Sequence, residues 1–336
     1  MNLILAFESS CDDTSVAILD TNYKVLSNLI SGQPEHLEFG GVLPELASRL
    51  HMKNIMQLCQ LSLQQAGISL RDISAVAVSI NPGLIGSLIV GLSFAKSLAW
   101  TLKIPLITVN HLLSHIFANY IDHPDLTPPY LALVVSGGHT EMVHFQSDTE
   151  FEVIGKTLDD AAGETFDKAA KLLGLGFPGG PVIDKLATSG DSRFVKLPQP
   201  LPRKDNFNFS YSGLKTAIRN YIEDQDEACI RHNIHDIAAS IQAAIVNPLI
   251  TKTIRKARAL GISKILLAGG VAANTALRRG MYTQASKHGI EVYYPSLSLC
   301  MDNAAMVAAA AIPKYKAGLY SPLSVNANSL KGTKLL

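Results

Sequence analysis

Residues 7–18 read Phe-Glu-Ser-Ser-Cys-Asp-Asp-Thr-Ser-Val-Ala-Ile, a short polar run between two apolar segments. The apolar segments, residues 2–7 and 14–20, are each typical of a buried strand. The pattern therefore predicts two strands joined by a tight polar turn. The hydroxyls, acids and cysteine of this turn leave three hypotheses open: a metal site, a cysteine nucleophile or a phosphate-binding turn.

A series of predicted elements follows this turn and occurs twice along the chain. Each series has three strands at its start and then alternating helices and strands. In the first half the further segments are strand 23–31, helix 44–66, strand 75–80, a helix after Asn81-Pro82-Gly83, strand 106–110 and a short helix from His111. In the second half they are strands 131–135, 142–145 and 151–154, a helix over about 234–260, strand 264–268, a helix, strand 291–294 and a final helix from Asp302.

This weak internal repeat predicts an α/β fold of two halves, each a mixed sheet covered by helices. The length of 336 residues also favours two domains over one. A Pro-rich stretch, 123–129, marks the expected boundary, so the domains are predicted over 1–129 and 130–336. Residues 175–232 resemble an insertion in the second domain. The final helix is expected to return toward a ligand-binding cleft between the halves.

Composition limits the classes of function that the chain can have. The formal net charge is +1 and hydrophobic residues make up 47% of the chain, so any RNA-binding surface must be local. The four cysteines form no Cys-x-x-Cys pair, which favours a reducing cytosol over disulfides. Glu8 interrupts the first apolar run too early for a signal peptide, and no run of about 18 apolar residues is evident, so we expect a cytoplasmic protein without a membrane span.

Two clusters in the second half follow predicted strands, at the sheet edge where ligands of α/β proteins bind. Residues 136–140 read Ser-Gly-Gly-His-Thr, which can direct backbone N–H groups and hydroxyls at phosphate or carboxylate oxygens. Gly269-Gly270 follows strand 264–268 but fits neither the Rossmann nor the P-loop spacing. Asn274 could contact a ribose or a base, or it could simply cap a helix.

His111 and His115 follow strand 106–110 at helical spacing i and i+4. At this spacing both imidazoles share one helix face and can bind one metal ion. Position 112 is Leu, so the glutamate base of the zincin proteases is absent. A third ligand must come from elsewhere in the chain, and Asp302, at the start of the last helix, is the best candidate.

Other polar residues have simpler explanations. Cys11 is expected to be a small packed residue, because the adjacent Asp12 and Asp13 disfavour its thiolate. The pairs Glu164–Lys168 and Asp167–Lys171 have the i,i+4 spacing that merely supports a surface helix. Arg49, His51 and Lys53 are expected on a solvated helix face.

Together these clusters resemble the tRNA adenosine threonylcarbamoyltransferase family, formerly described as O-sialoglycoprotein endopeptidases (Gcp). The resemblance extends over essentially the whole chain and rests on an ordered series of motifs. They are residues 8–14 (Glu-Ser-Ser-Cys-Asp-Asp-Thr), 40–49 (Gly-Gly-Val-Leu-Pro-Glu-Leu-Ala-Ser-Arg), His111-x3-His115, 135–140, 159–168, 177–181, 209–216 (Phe-Ser-Tyr-Ser-Gly-Leu-Lys-Thr), 269–274 and 302–306.

The resemblance implies a fold of the actin/Hsp70/sugar-kinase (ASKHA) class, with duplicated RNase H-like domains around a nucleotide cleft. It implies transfer of a threonylcarbamoyl group from threonylcarbamoyl-AMP to the exocyclic amine of adenosine 37 in tRNAs that read ANN codons. It also implies site residues for each part of this reaction. The metal ligands are His111, His115 and Asp302, the adenylate-binding residues are Val134, Val135, Ser136, Gly137, Gly138, Asp167, Gly180, Asp184 and Asn274, and the residue at the reaction centre is Asp12.

The resemblance further implies a cofactor and partners. The cofactor is one divalent metal ion, with Fe2+ favoured and Zn2+ or Mg2+ as alternatives. The partners are tRNA, a smaller homologous ASKHA subunit (TsaB-like) and a P-loop ATPase (TsaE-like). The chain departs from the family pattern at Asp13, Asn81 and Thr275, where Glu, Gly and Arg are usual.

Three alternatives compete with this interpretation. An ATP-dependent sugar or acyl kinase of the same fold leaves the His111/His115 pair unexplained. A metalloprotease lacks its glutamate base. A non-catalytic scaffold is disfavoured because Asp12, His111, His115 and Asp302 are all present.

Overall fold

A computed structural model describes residues 2–39, 41–199, 201, 203 and 205–329 of the chain. The chain forms two compact units, Met1–Leu126 with Pro295–Leu336, and Thr127–Tyr294. Gly40, the first residue of one family-like motif, lies outside the described residues.

The first unit is built on a five-stranded sheet of order β3-β2-β1-β4-β5. Strands β1, β2 and β3 are antiparallel neighbours, whereas β1, β4 and β5 run parallel to one another. The elements are β1 (Leu3–Glu8), β2 (Thr14–Asp20), β3 (Val25–Ser31), α1 (Pro44–Ala66), β4 (Ile73–Asn81), α2 (Ile85–Leu102), β5 (Leu106–Asn110), α3 (His111–Phe117) and α4 (Asn119–Asp122).

The second unit repeats this plan. Its sheet has the order β10-β9-β6-β7-β8, with antiparallel pairing among β6, β7 and β8 and parallel pairing from β6 to β9 and β10. The elements are β6 (Tyr130–Val135), β7 (Thr140–Phe145), β8 (Phe151–Lys156), α5 (Ala162–Leu172), α6 (Gly179–Ala187), α7 (Ser212–Glu223), α8 (Glu227–His232), α9 (Ile234–Leu260), β9 (Lys264–Ala268), α10 (Thr275–Ser286) and β10 (Glu291–Tyr293).

The predicted internal repeat is thus confirmed at the level of strand order and direction. In each sheet the first strand lies at the centre, between an antiparallel hairpin and two parallel strands. The central strands β1 and β6 are buried along their whole length. A strand that is buried on both faces has a continuous apolar sequence. The bounds predicted for β1 and β6 are therefore within a residue or two of the observed ones.

The C-terminal segment differs from the predicted domain division. The chain crosses back to the first unit at Pro295, where it forms α11 (Leu297–Cys300) and α12 (Ala304–Lys316). Helix α12 packs on β1, β2 and α3, and its residues Ala304–Ile312 are all buried. The predicted second domain, 130–336, is therefore wrong beyond Tyr294, because the small alanine side chains of α12 fit closely against the first sheet.

Among the described residues, two helices are long and apolar enough to cross a membrane, by length and composition only. They are Ile85–Leu102 and Ile234–Leu260, which are α2 and α9. This differs from the expectation that the chain has no such stretch. In the structure 83% of the apolar window of α9 is buried, while α2 packs on β4 and α1 and buries Leu88, Leu92 and Ala95.

Gly269 directly follows β9, and its backbone lies against the end of the neighbouring strand β6. Its φ is +84°, and a Cβ placed there would lie 2.5 Å from the carbonyl oxygen of Val135. A side chain at this position therefore requires both a strained backbone and displacement of β6.

We expect Gly269→Ala to lower the free energy of unfolding of the second unit by about 3 kcal/mol, because backbone strain and overpacking both contribute. Gly213→Ala is the matched control, since Gly213 lies in α7 with φ outside the positive range and open space around its Cβ position. The control should range from no change to a gain of about 1 kcal/mol. Urea unfolding of the full chain measures both; equal midpoints for the two variants would contradict the expectation.

Candidate active site

The two histidines of the predicted metal pair lie on α3, directly after β5. Asn110 fixes where this helix begins, because its side-chain oxygen accepts hydrogen bonds from the backbone N–H groups of Leu112 and Leu113, at 2.9 and 3.1 Å. His111 is thereby the first helical residue and His115 lies one turn later on the same face. Both histidines are buried.

The structure brings Asp302 to this pair. The side-chain ligand atoms of His111, His115 and Asp302 all lie within 4.8 Å of one another. Asp302 Oδ1 is 3.1 Å from His115 Nε2 and 3.6 Å from His111 Nε2. The three donors that the sequence proposed as metal ligands are therefore adjacent.

Glu8, at the end of β1, holds His111 from the opposite side. Its Oε2 lies 3.1 Å from His111 Nδ1, and its Oε1 accepts a 2.6 Å hydrogen bond from the backbone N–H of Ser10. The side chain of Glu8 is fully buried. A carboxylate on Nδ1 places a proton there and leaves the lone pair of Nε2, on the side of Asp302, available to a metal ion, as in carboxylate–histidine–metal arrangements.

The pKa of His111 reflects these neighbours. Burial lowers it, but the carboxylates of Asp302 and Glu8 outweigh burial and raise the pKa to about 9. Burial raises the pKa of Glu8, while His111 lowers it, and the net direction is down. The contact between Glu8 and His111 thus favours the charged form of each partner.

His115 provides a test of whether the group suits a metal ion. Both of its ring nitrogens are buried, and neither makes a well-aligned hydrogen bond among the described residues, although Asp302 Oδ1 lies 3.1 Å from Nε2. A buried imidazole with no hydrogen bond costs free energy, whereas coordination through Nε2 would satisfy one nitrogen. The residues present thus fit a divalent ion held by two imidazoles and one carboxylate.

Acidic groups accumulate around this site, which is a second argument for a cation. Burial raises the pKa of Asp13 to about 7, and the charges of Asp302, Asp12 and Glu8 add to the rise. The pKa of the Cys11 thiol is raised by burial and by Asp12, so the prediction of an unreactive Cys11 agrees with its surroundings.

His51 is a residue whose role the sequence misassigned. The sequence predicts a solvated helix face for it, but the side chain is fully buried. Its Nδ1 lies 2.7 Å from Thr14 Oγ1 and its Nε2 lies 3.0 Å from the carbonyl oxygen of Cys11. His51 therefore ties α1 to both ends of the turn that carries Asp12 and Asp13. The sequence did indicate this burial, because His51 has helical spacing with Ala47, Ile55 and Cys59, which form the buried face of α1.

In the second unit, residues 134–138 form the end of β6 and the turn that follows. The Ser136 N–H donates to the His139 carbonyl oxygen at 2.8 Å, which closes the turn. Gly163 at the start of α5 packs directly on the turn, since a Cβ there would lie 2.5 Å from the Ser136 carbonyl oxygen. Gly137 and Gly138 have open space at their Cβ positions, so their backbone can be approached by a ligand.

The remaining predicted adenylate ligands cap helices. Asp167 accepts a 2.8 Å hydrogen bond from the Gly179 N–H and a further backbone hydrogen bond from Gly180. Asp184 accepts from the backbone N–H and hydroxyl of Thr275, at 3.0 and 2.8 Å. These contacts join α5, α6 and α10 at the edge where β6 and β9 end.

Asn274 also acts as a helix cap. Its Oδ1 accepts from the Leu277 N–H at 2.9 Å, and its amide donates to Gln242 Oε1 at 2.9 Å. The contacts of Asn274 in the structure are thus those of a helix cap, the simpler of the two alternatives stated for this residue. A nucleotide-binding role for it stays a prediction.

The comparison with known proteins decides the family. A profile described as TsaD, tRNA N6-adenosine threonylcarbamoyltransferase, matches residues 24–309. The tRNA N6-adenosine threonylcarbamoyltransferase of Clostridium perfringens is 48% identical over 326 residues, which cover 97% of this chain and 96% of the relative. The chain belongs to this family. The protein of the same description from Thermosipho africanus is also 48% identical, with 97% and 98% covered.

Membership of the family makes the chain a transferase that modifies adenosine in tRNA, and it does not favour the kinase alternative. Solved structures support the fold. HypF of T. kodakarensis has a TM-score of 0.63 at 13% identity, covering 95% of this chain and 48% of HypF. Component A of the Acidaminococcus fermentans (R)-2-hydroxyglutaryl-CoA dehydratase has a TM-score of 0.56 at 14% identity, covering 94% and 99%. The predicted ASKHA fold is confirmed.

The geometry of Glu8 leads to a test of the metal site. We expect Glu8→Gln to weaken binding of Zn2+, used as a redox-inert probe, by about 10–100-fold, because the amide holds the His111 ring less firmly and is a poorer acceptor. In the unsubstituted protein, binding should release nearly one proton at pH 7, since His111 is protonated below about pH 9 and must lose its proton to coordinate. Its affinity for Zn2+ should therefore rise with pH from 6 to 9.

Calorimetry in two buffers of different ionisation enthalpy measures both the affinity and the proton release. His232→Gln is the control, because His232 is exposed on α8 in the other unit. It should leave both values unchanged. Zinc binding that is independent of pH and of Glu8 would show that this group does not hold the ion.

Proposed function

We propose that the chain transfers the threonylcarbamoyl group of threonylcarbamoyl-AMP to the exocyclic amine of adenosine 37 in tRNAs that read ANN codons, with release of AMP. The observation that carries the proposal is the convergence of His111, His115 and Asp302 within 4.8 Å, in a chain of this family. The donor is a mixed carbamoyl–phosphate anhydride and is already activated. No covalent nucleophile is required, which agrees with an unreactive Cys11.

His111, His115 and Asp302 would hold one divalent ion, and two imidazoles with one carboxylate suit Fe2+ or Zn2+ better than Mg2+. When bound, the ion supplies positive charge for oxygens of the donor on which negative charge develops. Glu8 keeps the His111 ring oriented for this role through the 3.1 Å contact with Nδ1.

Asp12 is the residue we assign to the incoming amine. It lies half-buried in the turn between β1 and β2, which His51 holds in place from α1. Its carboxylate would accept a hydrogen bond from the amine and take one proton as the new N–C bond forms. The bond from the carbamoyl carbon to the phosphate oxygen breaks, and the electron pair leaves with AMP.

The adenylate is assigned to the second unit. Gly137 and Gly138 offer open backbone for the phosphate, and Gly180 offers the same at the start of α6. Asp167 and Asp184 are anchored by backbone N–H groups, so their remaining lone pairs have fixed directions toward hydroxyl groups of a ribose.

Two protein partners and a cytoplasmic location complete the proposal. A smaller subunit of like fold (TsaB-like) would dock on an apolar surface of α1 and α2, where Met52, Met56, Ile85 and Ile89 are 62%, 59%, 46% and 50% exposed. A P-loop ATPase (TsaE-like) is assigned from the family alone. All four cysteines are free thiols, which suits the reducing cytosol.

Nucleoside analysis of tRNA tests the function. The full chain, loaded with metal and supplied with threonylcarbamoyl-AMP, unmodified tRNA and both partners, should form threonylcarbamoyladenosine. Omission of either partner should reduce product formation. No modified nucleoside under conditions in which a relative is active would overturn the proposal.

Asp12→Asn should lower the rate of transfer by about 10²–10⁴-fold, because the amide cannot accept the proton of the amine. Adenylate binding should persist, since the assigned adenylate residues are in the other unit. Single-turnover kinetics measure the transfer and equilibrium dialysis measures the binding. Asp125→Asn, which alters an exposed acid of the same unit, is the control and should keep the full rate. An unchanged rate in Asp12→Asn excludes this role.

A further inference from the structure

A group of basic residues in the second unit lies outside the sites described above. Segments 203–208 and 252–258 together carry six basic residues and one acid, in a chain whose net charge is only +1. Lys252, Arg255 and Lys256 have i, i+3 and i+4 spacing on α9. Within the described part of the chain, none of these three and neither Arg203 nor Asp205 takes part in an ion pair.

Aromatic rings hold these cations in place. Lys256 Nζ and Arg255 Cζ lie 4.8 and 5.1 Å from the ring centroid of Phe207, and Lys252 Nζ lies 5.6 Å from that of Phe209. The ring contacts are of the cation–π type. They restrict the long side chains before any ligand binds, so less conformational entropy is lost on binding.

The backbone beneath the rings is also fixed. Phe209 donates from its N–H to the Lys156 carbonyl oxygen at 2.9 Å, and the Lys156 N–H donates to Asn208 Oδ1 at 3.1 Å. Gly155 of β8 packs against the Phe207 carbonyl group so closely that a Cβ there would overlap it. Segment 206–209 is therefore attached to the edge of the second sheet as a rigid ridge. We call this ridge, with Arg203 and the three cations of α9, the basic ridge. Lys252 is itself buried and donates to the Asn208 carbonyl oxygen, so Arg203, Arg255 and Lys256 are the cations that remain for a ligand.

The basic ridge has unmet capacity for an anion. Arg255 Nε is buried without a hydrogen-bond partner among the described residues, and Arg255 Nη2 donates a long hydrogen bond of 3.4 Å to the Asn206 carbonyl oxygen. Burial and the charge of Arg255 both lower the pKa of Lys252, as expected where cations gather without a counterion. A bound anion would offset the charge of Arg255 and relieve this repulsion.

A cavity adjoins the ridge. It has a volume of about 390 Å³ and is lined by Ile154, Arg203, Asp205, Asn206, Phe207 and Asn208. It is open to solvent, and the amide side chains of Asn206 and Asn208 offer donors and acceptors along it, beside a single acid, Asp205. The cations of the basic ridge come from two segments, α9 and 203–208. They therefore suit a ligand with several phosphates along a chain better than one isolated phosphate.

We propose that the basic ridge binds the phosphodiester backbone of the tRNA away from the reacting adenosine. The inference rests on the proposed function for the identity of the RNA. Phosphate contacts position a nucleic acid without reading its sequence, which is what an enzyme acting on several tRNAs requires. The ridge sets affinity for tRNA and takes no part in the transfer step.

The test compares Arg255→Gln/Lys256→Gln with a control of the same type. Arg231→Gln is suitable, since Arg231 is an exposed cation of the same unit that already pairs with Glu227 at 3.2 Å. Binding of an unmodified tRNA transcript to the full chain is measured by fluorescence anisotropy over a series of salt concentrations. The double variant should bind at least about tenfold more weakly, and its slope of log affinity against log salt should fall by about 1.4–1.8 for two lost phosphate contacts.

Steady-state transfer separates this inference from the proposed function. In the double variant KM for tRNA should rise about tenfold while kcat at saturating tRNA stays unchanged. If the unsubstituted protein forms no threonylcarbamoyladenosine, the proposed function fails. If the protein is active and the double variant keeps the normal KM and salt slope, the basic ridge is not a tRNA site.

Two further measurements address a misfolded double variant and binding to a different polyanion. Arg203→Gln alters an exposed side chain, where substitutions usually change stability by less than about 0.5 kcal/mol. It should lower the salt slope by about 0.7–0.9, so a poorly folded double variant does not end the test. Vesicles containing phosphatidylglycerol test the other polyanion. Vesicle binding that is lost in Arg203→Gln, together with unaltered tRNA binding, would assign the ridge to a membrane surface and overturn the proposal.

Discussion

The return of α12 to the first sheet is the packing interaction on which the candidate metal site depends. Residues Ala304–Ile312 are buried, and most of them are alanines that allow the helix backbone to lie close to β1 and β2. The Ala304 N–H donates to Ser15 Oγ at 2.8 Å, and Asn303 caps the helix through the Met306 N–H. The position of the helix start is therefore fixed to β2. Asp302, two residues earlier, is fixed with it beside His111 and His115.

The second unit uses helix capping to position the residues assigned to the adenylate. Asp167 holds the start of α6, and Asp184 and Asn274 hold the start of α10. A side chain anchored in this way has few rotamers left to lose when a ligand binds. Substitution of any of these three residues should also lower the stability of the unit. A loss of activity in such a variant should therefore be compared with its free energy of unfolding.

Local charge matters more in this chain than the total. Glu8, Asp12, Asp13 and Asp302 gather near the metal ligands, as the raised pKa of Asp13 shows. The basic ridge gathers cations in the other unit, and these have no ion-pair partner in the part of the chain that the structure describes. The net charge of +1 conceals both, because opposite excesses cancel in the sum. Each excess suits the ligand proposed for it, a metal ion in one case and a polyanion in the other.

Much of the fold was determined by the sequence by itself. Buried strands such as β1 and β6 are continuous apolar runs, and α1 and α9 were predicted with the bounds that the structure has. The spacing of His111 and His115 is a local property, since an i,i+4 pair shares a helix face wherever the helix lies. The motifs were ordered enough to indicate the family.

Contacts between residues far apart in the chain became visible in the folded structure alone. It assigned the segment after Tyr294 to the first unit, placed Glu8 on His111 Nδ1 and buried His51 against the turn of Asp12. It also gathered Arg203, Phe207 and the cations of α9 into one ridge. The physical reason is that hydrophobic periodicity specifies that a face is buried, but not against which partner. The partner depends on the fit of side-chain volumes and hydrogen bonds between segments far apart in the chain.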